Sequence, residues 1–448
     1  MSKIGKYIRL RLILPLAEKV QGTCATKWLK QIEQMNTWTP EQMTLWQQQK
    51  LHALIEHAYN HTKYYRRIMD ERELKPSDIR TADDLKKLPI INKEIANAHF
   101  DELVPDNLAS IPHRKGKTGG TTGQPMLYYC DENTWGYITA AKIHYWSKTS
   151  YNYGDAFVAM GSASLFARKP SLVRRIYDKI RNEVPMNTVN LTDELCEKYI
   201  RVIREKKIRF IYGYAASIYL FTRYVATHAI DLKQIEAVFT TSESLTDEYR
   251  ELISKTYECA VVDCYGARDA GITAYETDYH YYEVGYNAIA EVVNEFEENT
   301  GTLLSTNLLN YSFPLLRYQF GDEAELQRES GKELGHKNYN GQVIRRIIGR
   351  TSDVMRLENG HNMTATGFSM IMKEFDVNAF AFNKVGVNEV TLTVEPIEDK
   401  FTTEQESEIR RTIHLYIGED AKLNIDYVEK FVPLANGKRR YFMNNSVK

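Results

Sequence analysis

The sequence predicts a multidomain protein with α/β and α+β parts, in which a large N-terminal domain of layered sheets and helices precedes a small α+β domain. Three observations carry this prediction. At 448 residues the chain is too long for one compact core. Segments of strand and helix character alternate between residues 157 and 264. The pattern changes after a turn-prone stretch at 349–353, so we place the domains at 1–350 and 351–448.

Composition and charge exclude several classes of protein. Lysine and arginine total 58 against 59 aspartate and glutamate residues, which gives no reason to expect a nucleic-acid partner. The five cysteines are scattered without a Cys-x-x-Cys pair. We therefore expect neither disulfides nor a structural zinc, and we expect a reducing, cytoplasmic location.

The uninterrupted apolar run at 12–17 is far shorter than the roughly 20 residues of a membrane span. An amphipathic helix touching a membrane surface stays open as the alternative to an ordinary packed helix.

The first part of the chain, residues 1–110, is predicted to be mainly helical because apolar residues recur near helical spacing. Residues 57–67 are typical of one amphipathic helix whose tyrosines are packing groups. The segment 88–93 is expected to be extended and to lead into a new helix, since the residue before Pro89 disfavours helical geometry.

The α/β part follows, with strands and helices in alternation. Strands are predicted at 126–130, 157–160, 210–212, 237–241 and 260–264. Helices are predicted at 172–181 and 193–206, and then up to residues 225 and 257. Because ligands bind at the carboxyl ends of strands in such sheets, the candidate binding loops are 213–217, 241–244 and 265–271. A surplus of basic residues between 168 and 209 indicates either solvated helix faces or a docking surface for a phosphorylated acceptor.

A loop at 118–125, Thr-Gly-Gly-Thr-Thr-Gly-Gln-Pro, is the strongest local signal of a binding site. Glycines let backbone N–H groups approach a ligand and threonine hydroxyls add donors, which suits phosphate oxygens. A mobile surface turn is the alternative. A Walker A loop is excluded because that motif needs a glycine where Ile111 stands, and no triplet of these glycines has the dinucleotide-binding spacing.

The remainder of the chain carries two further candidates. A β-rich stretch at 286–322 ends in Gly321-Asp322, where the carboxylate could accept hydrogen bonds from a ribose diol or be a turn aspartate. In the small domain, strands are predicted at 390–394 and 423–427 on either side of a helix at 403–417. Near the end, Lys438 lies in a basic turn and is by itself a surface lysine.

Taken in order, these stretches resemble the adenylate-forming superfamily of acyl-CoA synthetases, and within it the branch of phenylacetate-CoA ligases and capsule-biosynthesis (CapK-type) ligases. The matching segments in this sequence are T-G-G-T-T-G-x-P at 118–125, Y-G-A-R-D at 265–269, R-Y-x-x-G-D at 317–322, G-R-x-x-D at 349–353, P-x-x-x-G-K at 433–438, and two early segments at 58–66 and 88–93. The similarity therefore spans nearly the whole chain. It implies the fold of that superfamily, with a small C-terminal domain that moves about a hinge at 350–353.

The resemblance also implies ligands and residue roles. ATP and Mg2+ are implied, with coenzyme A as a co-substrate. The nucleotide would be bound by Thr118, Gly120, Thr121, Thr122 and Gly123 at the phosphates, by Ser242, Glu243, Ser244, Tyr265 and Gly266 near adenine, and by Asp322 at the ribose. Arg350 would lie on the ribose or α-phosphate side, and Lys438 at the carboxylate and α-phosphate. The acid would be bound by Gly213, Tyr214, Ala215 and Ser217.

One position departs from the superfamily pattern. Asp269 stands where the superfamily has a magnesium-binding glutamate, and its side chain is one methylene shorter. Aspartate is a competent ligand for a hard cation, so we expect the metal to be bound closer to the chain or through water.

The implied function is ATP-dependent conversion of a carboxylic acid to an acyl-AMP, with release of pyrophosphate and transfer of the acyl group to coenzyme A or an amine. A role in capsular polysaccharide biosynthesis follows from the CapK-type resemblance. The alternative, motivated by Asp269, is a nucleotide-binding protein that has lost catalysis and serves a biosynthetic assembly. The expected partners are a small carboxylate and an acyl acceptor, and a homodimer is left open.

Overall fold

The computed structural model describes residues 9–118, 126–161, 182–188, 191–277, 281–336, 339–350, 354–357, 362–364, 372, 375–397, 401–431 and 442–444. The chain divides into two compact units. The first comprises Met1–Phe320 and Glu325–Arg346, and the second comprises Gly321–Ala324 and Ile347–Lys448. The domain boundary between residues 350 and 351 stays a prediction, because residues 351–353 lie outside the described residues.

The helices of the described residues are mostly in the first unit. They are α1 (Leu14–Gln21), α2 (Ala25–Met35), α3 (Pro40–His61), α4 (Lys63–Glu71), α5 (Lys93–Ala98), α6 (Phe100–Leu103), α7 (Glu132–Trp146), α8 (Asp193–Glu205), α9 (Ala215–Thr227), α10 (Asp247–Tyr257) and, in the second unit, α11 (Thr403–Ile417). Short turns of π or 3-10 helix are Arg9–Ile13, Pro76–Asp78, Asp83–Lys87 and Leu108–Ser110. None of these helices is long and apolar enough to cross a bilayer.

Twenty strands are described. They are β1 (Ile91–Asn92), β2 (His113–Lys117), β3 (Leu127–Asp131), β4 (Phe157–Gly161), β5 (Glu183–Asn187), β6 (Phe210–Tyr214), β7 (Ala237–Thr241), β8 (Ala260–Ala267), β9 (Ile272–Glu276), β10 (Tyr282–Val284), β11 (Ala288–Glu297), β12 (Thr300–Asn307), β13 (Tyr318–Leu326), β14 (Val343–Arg350), β15 (Val354–Arg356), β16 (Asn362–Thr364), β17 (Val377–Gly386), β18 (Glu389–Pro396), β19 (Lys422–Tyr427) and β20 (Phe442–Asn444).

Several helices begin at a residue whose side chain accepts a hydrogen bond from a backbone N–H of the first turn, which satisfies a donor that the helix itself leaves unpaired. These N-cap residues are Thr39, Thr62, Asn92, Asp131, Thr192, Thr246 and Thr402. Thr62 corrects one prediction. The segment 57–67 is not one helix, because the chain is extended at Thr62 and the residue caps a second helix, α4.

A twelve-stranded sheet forms the centre of the fold, in the order β11-β12-β13-β14-β10-β9-β8-β7-β6-β4-β5, with β1 beside β13. Five strands, β5, β4, β6, β7 and β8, run parallel. From β8 to β9 the pairing becomes antiparallel. Strands β5, β6, β7 and β8 are joined in turn by α8, α9 and α10, as β-α-β units require. This part of the sheet agrees with the predicted alternation.

Both faces of the parallel strands are apolar, so the sheet is buried between two layers of helices. On strands β4, β6 and β7 the side chains of Phe157, Phe210 and Phe239 belong to one core cluster, which also contains Trp28 of α2 and Trp146 of α7. The intervening side chains pack into a second cluster with α8, α9 and α10, and these strand residues are Val158, Ile211 and Val238. Strict alternation between the two clusters is the period-2 pattern of a strand.

The second unit contains a four-stranded sheet in the order β19-β18-β17-β20 and the helix α11. Strand β18 alternates buried and partly buried residues, and its buried residues Val390, Leu392 and Val394 share one core with Ile409 and Ile413 of α11. The predicted helix at 403–417 and the strands on either side of it are confirmed. A separate hairpin of β15 and β16 belongs to the same unit.

A buried ion pair joins distant parts of the first unit. The guanidinium of Arg317 donates to the carboxylate of Glu291 at 3.0 and 3.3 Å and to the carbonyl oxygen of Leu88 at 2.8 Å. Its backbone N–H donates to the hydroxyl of Thr306 at 2.9 Å. The backbone of Arg317 is in the left-handed region, with φ +53°. Such a conformation persists only where surrounding contacts determine it.

We expect Arg317→Ala to lower the free energy of unfolding of the first unit by about 3 to 5 kcal/mol, because it leaves Glu291 as a buried charge without its ion partner. Urea unfolding followed by tryptophan fluorescence measures the change. Arg328→Ala is the control, since the pair of Arg328 with Glu298 is 70% and 78% exposed; it should cost less than about 1 kcal/mol. Equal effects of the two substitutions would contradict the structural role of Arg317.

Candidate active site

Thr118 is the first residue of the predicted phosphate loop and lies opposite Met126, where the two strands of a β-hairpin end and its loop begins. We call this pair of residues the neck of the hairpin. Strands β2 and β3 pair in antiparallel fashion along their length. Beyond them, the N–H of Thr118 donates to the carbonyl of Met126 at 2.9 Å, and the N–H of Met126 donates to Oγ1 of Thr118 at 2.9 Å. The predicted second arm of the hairpin is confirmed. The loop between them lies outside the described residues, and it includes the predicted ligands Gly120, Thr121, Thr122 and Gly123.

The predicted metal ligand Asp269 is hydrogen-bonded to a buried tyrosine. The hydroxyl of Tyr318 donates to Oδ2 of Asp269 at 3.0 Å and lies 3.6 Å from the sulfur of Met126. Burial, and then the negative charge of Asp269, raise the pKa of Tyr318, so the hydroxyl keeps its proton at neutral pH. One hydroxyl group therefore contacts both the predicted metal carboxylate and the neck of the hairpin.

The turn that carries Asp269 is held in place by side chains of neighbouring segments. Nδ2 of Asn287 donates to the carbonyl of Gly271 at 2.7 Å, and Oγ of Ser305 donates to that of Ala270 at 3.1 Å. Gly271 has φ +66°, and a Cβ atom there would collide with the amide of Asn307. Only glycine fits this position, so the turn has a fixed backbone path.

A tryptophan links the same turn to the hairpin. The guanidinium of Arg268, next to Asp269, lies 5.1 Å from the ring centroid of Trp135 in the first turn of α7. The guanidinium of Arg114, on β2, lies 5.3 Å from the same ring. Both distances are within the range of cation–π attraction, so the ring contacts one cation from each segment.

Three adjacent parallel strands bring the predicted adenine and acid-binding residues to one edge of the sheet. Tyr214 on β6 pairs in register with Thr241 on β7, which pairs with Cys264 on β8. Ser242 and Tyr265 directly follow the last two of these. Because the carboxyl ends of parallel strands meet at one edge, these predicted residues are neighbours along it. Ser242 leaves its strand with φ +65°.

Side-chain hydrogen bonds fix two of the predicted ligands. A carboxylate oxygen of Glu243 accepts from the backbone N–H of Ala216 at 3.0 Å, at the start of α9, where the helix dipole favours negative charge. The hydroxyl of Ser217 accepts from that of Thr188 at 2.8 Å. The first contact joins the predicted adenine loop to the predicted acid-binding segment.

Two predicted loops, 213–217 and 265–271, and one predicted strand end, at Asp322, are wrong in detail. Gly213 and Tyr214 end strand β6, whereas Ala215 and Ser217 are already in the first turn of α9. Tyr265 and Gly266 belong to strand β8. Asp322 lies in the middle of β13 rather than at its end, after Gly321 with φ +93°. The errors share a cause, since glycines that interrupt a pattern were interpreted as loop signals.

The remaining candidates are not located relative to this edge. Asp322 belongs to the second unit. Arg350 is the last residue of β14 and its side chain is outside the described part of the structure, as is all of Lys438. Their roles stay predictions, as does that of the hinge residues 351–353. Residues 168–181 of the basic stretch predicted at 168–209 also lie outside the described residues, and with them the predicted helix at 172–181.

The chemistry of the described residues fits a magnesium ion bound mainly by its substrate. No group of three or more His, Cys, Asp or Glu residues stands close enough to hold a metal within the described ranges. Mg2+ commonly takes one or two protein carboxylates and completes its shell with phosphates and water. Asp269, a carboxylate held beside the neck of a glycine-rich hairpin, is the group that such a site needs.

A buried carboxylate beneath this edge was not predicted. Asp263 on β8 accepts hydrogen bonds from the hydroxyls of Thr240 at 2.6 Å and Tyr282 at 2.8 Å. Burial raises its pKa to about 6, against the lowering by these two bonds. The bonds to Asp263 join β7, β8 and β10 below the candidate adenine residues. The sequence offered no signal for it beyond one acidic residue in an apolar strand.

No protein-family model matches the chain. It is 23% identical over 408 residues to Protein CapK of Staphylococcus aureus, covering 89% of this chain and 88% of that protein. It is 22% identical over 353 residues to phenylacetate-coenzyme A ligase of Pseudomonas putida, covering 72% and 74%.

Solved structures agree in fold. A 2-hydroxyisobutyryl-CoA ligase in the postadenylation state, in complex with R3-HIB-AMP, superposes with a TM-score of 0.66 at 15% identity, covering 89% of each chain. The same ligase in an open conformation, in complex with 2-HIB-AMP and CoA, gives a TM-score of 0.59.

Fold and relatives point the same way: the chain has the fold of an acyl-CoA ligase of the adenylate-forming type. Its sequence is similar to CapK over most of its length and to phenylacetate-coenzyme A ligase over about three quarters of it. The resemblance stated from the motifs is confirmed.

We expect Asp263 to make the protein less stable as the pH rises. Its pKa of about 6 in the fold lies above the 3.8 of an ordinary aspartate, so near pH 5 the folded protein holds a proton that the unfolded chain has lost. The stabilisation is complete below pH 4 and is lost as the pH rises through 6, by about 3 kcal/mol in all.

The measurement is urea unfolding between pH 4 and 8 for the wild type and Asp263→Asn. The amide does not titrate, so the difference between the two free energies of unfolding isolates this group. A difference that stays constant over that range would contradict the raised pKa.

Proposed function

We propose that the protein is an ATP-dependent ligase that activates a small carboxylic acid as its acyl-AMP and passes the acyl group to coenzyme A or to an amine. In the first step a carboxylate oxygen of the acid forms a bond to the α-phosphorus of ATP. The bond between that phosphorus and the oxygen bridging to the β-phosphate breaks, and pyrophosphate leaves. In the second step a thiolate or amine attacks the acyl carbon and AMP leaves.

One observation supports this function above the others, namely that the neck of the glycine-rich hairpin and Asp269 meet at the hydroxyl of Tyr318. The pair would put phosphate-binding N–H groups and a metal-binding carboxylate beside each other. A mobile surface turn, the alternative interpretation of the loop, gives no reason for a carboxylate to be fixed at its base.

The residues of the chain would act mainly by positioning and by opposing charge. A carboxylate that attacks a phosphate brings two anions together, so the barrier is largely electrostatic. Lys438 would contact the attacking carboxylate and the α-phosphate, and Arg350 the ribose or α-phosphate side. Thr118, with Thr121 and Thr122, would hold the β- and γ-phosphates.

The nucleoside would be bound at the sheet edge. Tyr265 and Gly266 would lie against adenine together with the 242–244 segment, and Asp322 would accept hydrogen bonds from the ribose hydroxyls. Mg2+, bound by Asp269 and the phosphates, would neutralise charge on the departing pyrophosphate. Rotation of the small unit about 350–353 would separate the two half-reactions.

The acid-binding segment gives limited support for an aromatic acid. Of the three tyrosines near it, Tyr219 donates to Glu248 and stacks on Tyr249 at 4.2 Å. The ring of Tyr212 lies 3.6 Å from the ammonium group of Lys142. We propose that Tyr214 contacts the acid, because it lies at the carboxyl end of β6 and pairs in register with Thr241 of β7 at the edge where the candidate adenine residues follow.

The acceptor follows from the relatives and is proposed on that ground. Phenylacetate-coenzyme A ligase is named for coenzyme A, which makes a thioester the simplest product. CapK covers more of the chain, and its name motivates a role in capsular polysaccharide biosynthesis, with a sugar amine as acceptor.

The second candidate is a nucleotide-binding member without catalytic activity that serves a biosynthetic assembly. It is favoured by the shorter side chain at Asp269. It predicts nucleotide binding without any acid-dependent chemistry, which separates it from the ligase.

We expect carboxylate-dependent exchange between ATP and pyrophosphate, and we expect Lys438→Ala to reduce it about 100- to 1,000-fold, because the lysine opposes charge that develops in the transition state. The assay uses a panel of aliphatic and aryl acids. Mass spectrometry of the products formed with coenzyme A or amino sugars then identifies the acceptor.

Lys422→Ala is the matched control in the same unit. Lys422 is an exposed lysine paired with Glu389, and its loss should leave the exchange unchanged. Nucleotide binding with no exchange over the whole panel would refute the ligase function and favour the second candidate.

A further inference from the structure

Tyr318 is a buried residue at the junction of three segments. Its side chain is 1% exposed, and it pairs through its backbone with Ile91 in the short strand β1. Its hydroxyl donates to Oδ2 of Asp269 at 3.0 Å. The same oxygen lies 3.6 Å from the sulfur of Met126, whose backbone is doubly hydrogen-bonded to Thr118.

The position of the tyrosine is determined by its neighbour in sequence. Arg317 has a left-handed backbone and is bound to Glu291, to the carbonyl of Leu88 and to the hydroxyl of Thr306. Hydrogen bonds to three partners on the residue that directly precedes the strand leave little freedom for the next one. The contacts of Arg317 therefore fix the backbone from which the side chain of Tyr318 reaches Asp269.

The turn with Asp269 is fixed from the other side. Its carbonyl groups at Ala270 and Gly271 accept hydrogen bonds from Ser305 and Asn287. These bonds fix the backbone and leave the rotation of the aspartate side chain to other contacts. The donor on Oδ2 restrains that rotation, because the carboxylate must keep its oxygen within hydrogen-bond distance of the hydroxyl.

We infer that Tyr318 is the positioning residue for the metal carboxylate: its hydroxyl holds Asp269 in the orientation that binds Mg2+ with ATP, and ties that carboxylate to the neck of the phosphate hairpin. The inference rests on the proposed function, since it assumes a nucleotide at the hairpin. Hydrogen bonds to a ligating group commonly set its orientation, and their loss typically costs 10- to 100-fold in metal affinity.

The test compares Tyr318→Phe with the wild type by titration calorimetry of ATP, with and without Mg2+. We expect ATP alone to bind both proteins equally, and the gain in ATP affinity on adding Mg2+ to fall about 10-fold or more in the variant. In the exchange assay the Mg2+ concentration for half-maximal rate should rise by a similar factor, with a smaller change in the rate at saturating Mg2+.

Tyr257→Phe is the matched control. Tyr257 is also a fully buried tyrosine, and its hydroxyl accepts from that of Thr222 in the layer of α9 and α10. Its loss removes one buried hydroxyl without touching the hairpin, so the Mg2+ dependence should stay that of the wild type. Urea unfolding of both variants shows whether they are folded and how much stability each loses.

A double-mutant cycle tests whether Tyr318 acts through Asp269. Asp269→Asn should weaken the Mg2+ effect by itself, and adding Tyr318→Phe to it should cause little further loss, because the residue to be positioned has gone. Additive losses would overturn the inference, as would a wild-type Mg2+ dependence in Tyr318→Phe or a wild type that gains no ATP affinity from Mg2+. Absence of exchange alone would refute the ligase function, while the calorimetric comparison would still decide the role of Tyr318.

Discussion

The buried guanidinium of Arg317 is the contact on which the architecture of the first unit depends. It holds Glu291 of β11 and the carbonyl of Leu88, which precedes the short strand β1. Removing a charged group from water costs several kcal/mol. The attraction to one carboxylate offsets this cost only if the charged group also makes further hydrogen bonds. Arg317 obtains them from a backbone carbonyl, so the N-terminal helical region is joined to the antiparallel half of the sheet at this point.

Arg317 also lies next to a residue of the candidate active site. Arg317 and Tyr318 are adjacent in one short motif, yet one makes a buried ion pair and the other reaches the candidate metal carboxylate. Two consecutive residues of one motif therefore combine a structural contact with a contact to a candidate functional group. The resemblance assigned a role to Asp322 in this motif, but the described contacts give its first two residues roles of their own.

The sequence predicted best those elements whose pattern is local. The helix at 403–417 and strand β18 are predicted well because their apolar periods are regular, and the helix also has two acidic residues in its first turn. The ends of β6 and β8 were missed because each contains a glycine. At Gly213 a Cβ atom would collide with the carbonyl of Met160 on the neighbouring strand, so the glycine permits close packing of strands and does not mark a break.

The site residues also divide into those that a local motif predicts and those whose contacts join segments far apart in the sequence. The motifs supplied Thr118, Asp269 and Tyr265 as residue types in order, and the parallel register of β6, β7 and β8 brings the adenine and acid segments to one edge. The contact between Tyr318 and Asp269 joins residues 49 positions apart. The contact of Glu243 with Ala216 joins residues 27 apart. Pairings over such distances depend on how strands order in the sheet, which no local period encodes.

The aspartate at 269 acquires a physical explanation from its neighbour. A glutamate reaches about 1.5 Å further and has one more rotatable bond, so ordering its carboxylate costs more side-chain entropy. An aspartate is shorter than a glutamate. When one of its oxygens already accepts a hydrogen bond from a fixed hydroxyl, its side chain loses less conformational entropy as the nucleotide binds. Shorter reach raises the demand on placement, and here the placement is supplied by a tyrosine whose own position follows from a buried ion pair. On our proposal, the departure from the superfamily residue and the fixed position of Tyr318 belong together, because the hydroxyl would orient the shorter side chain before the metal binds.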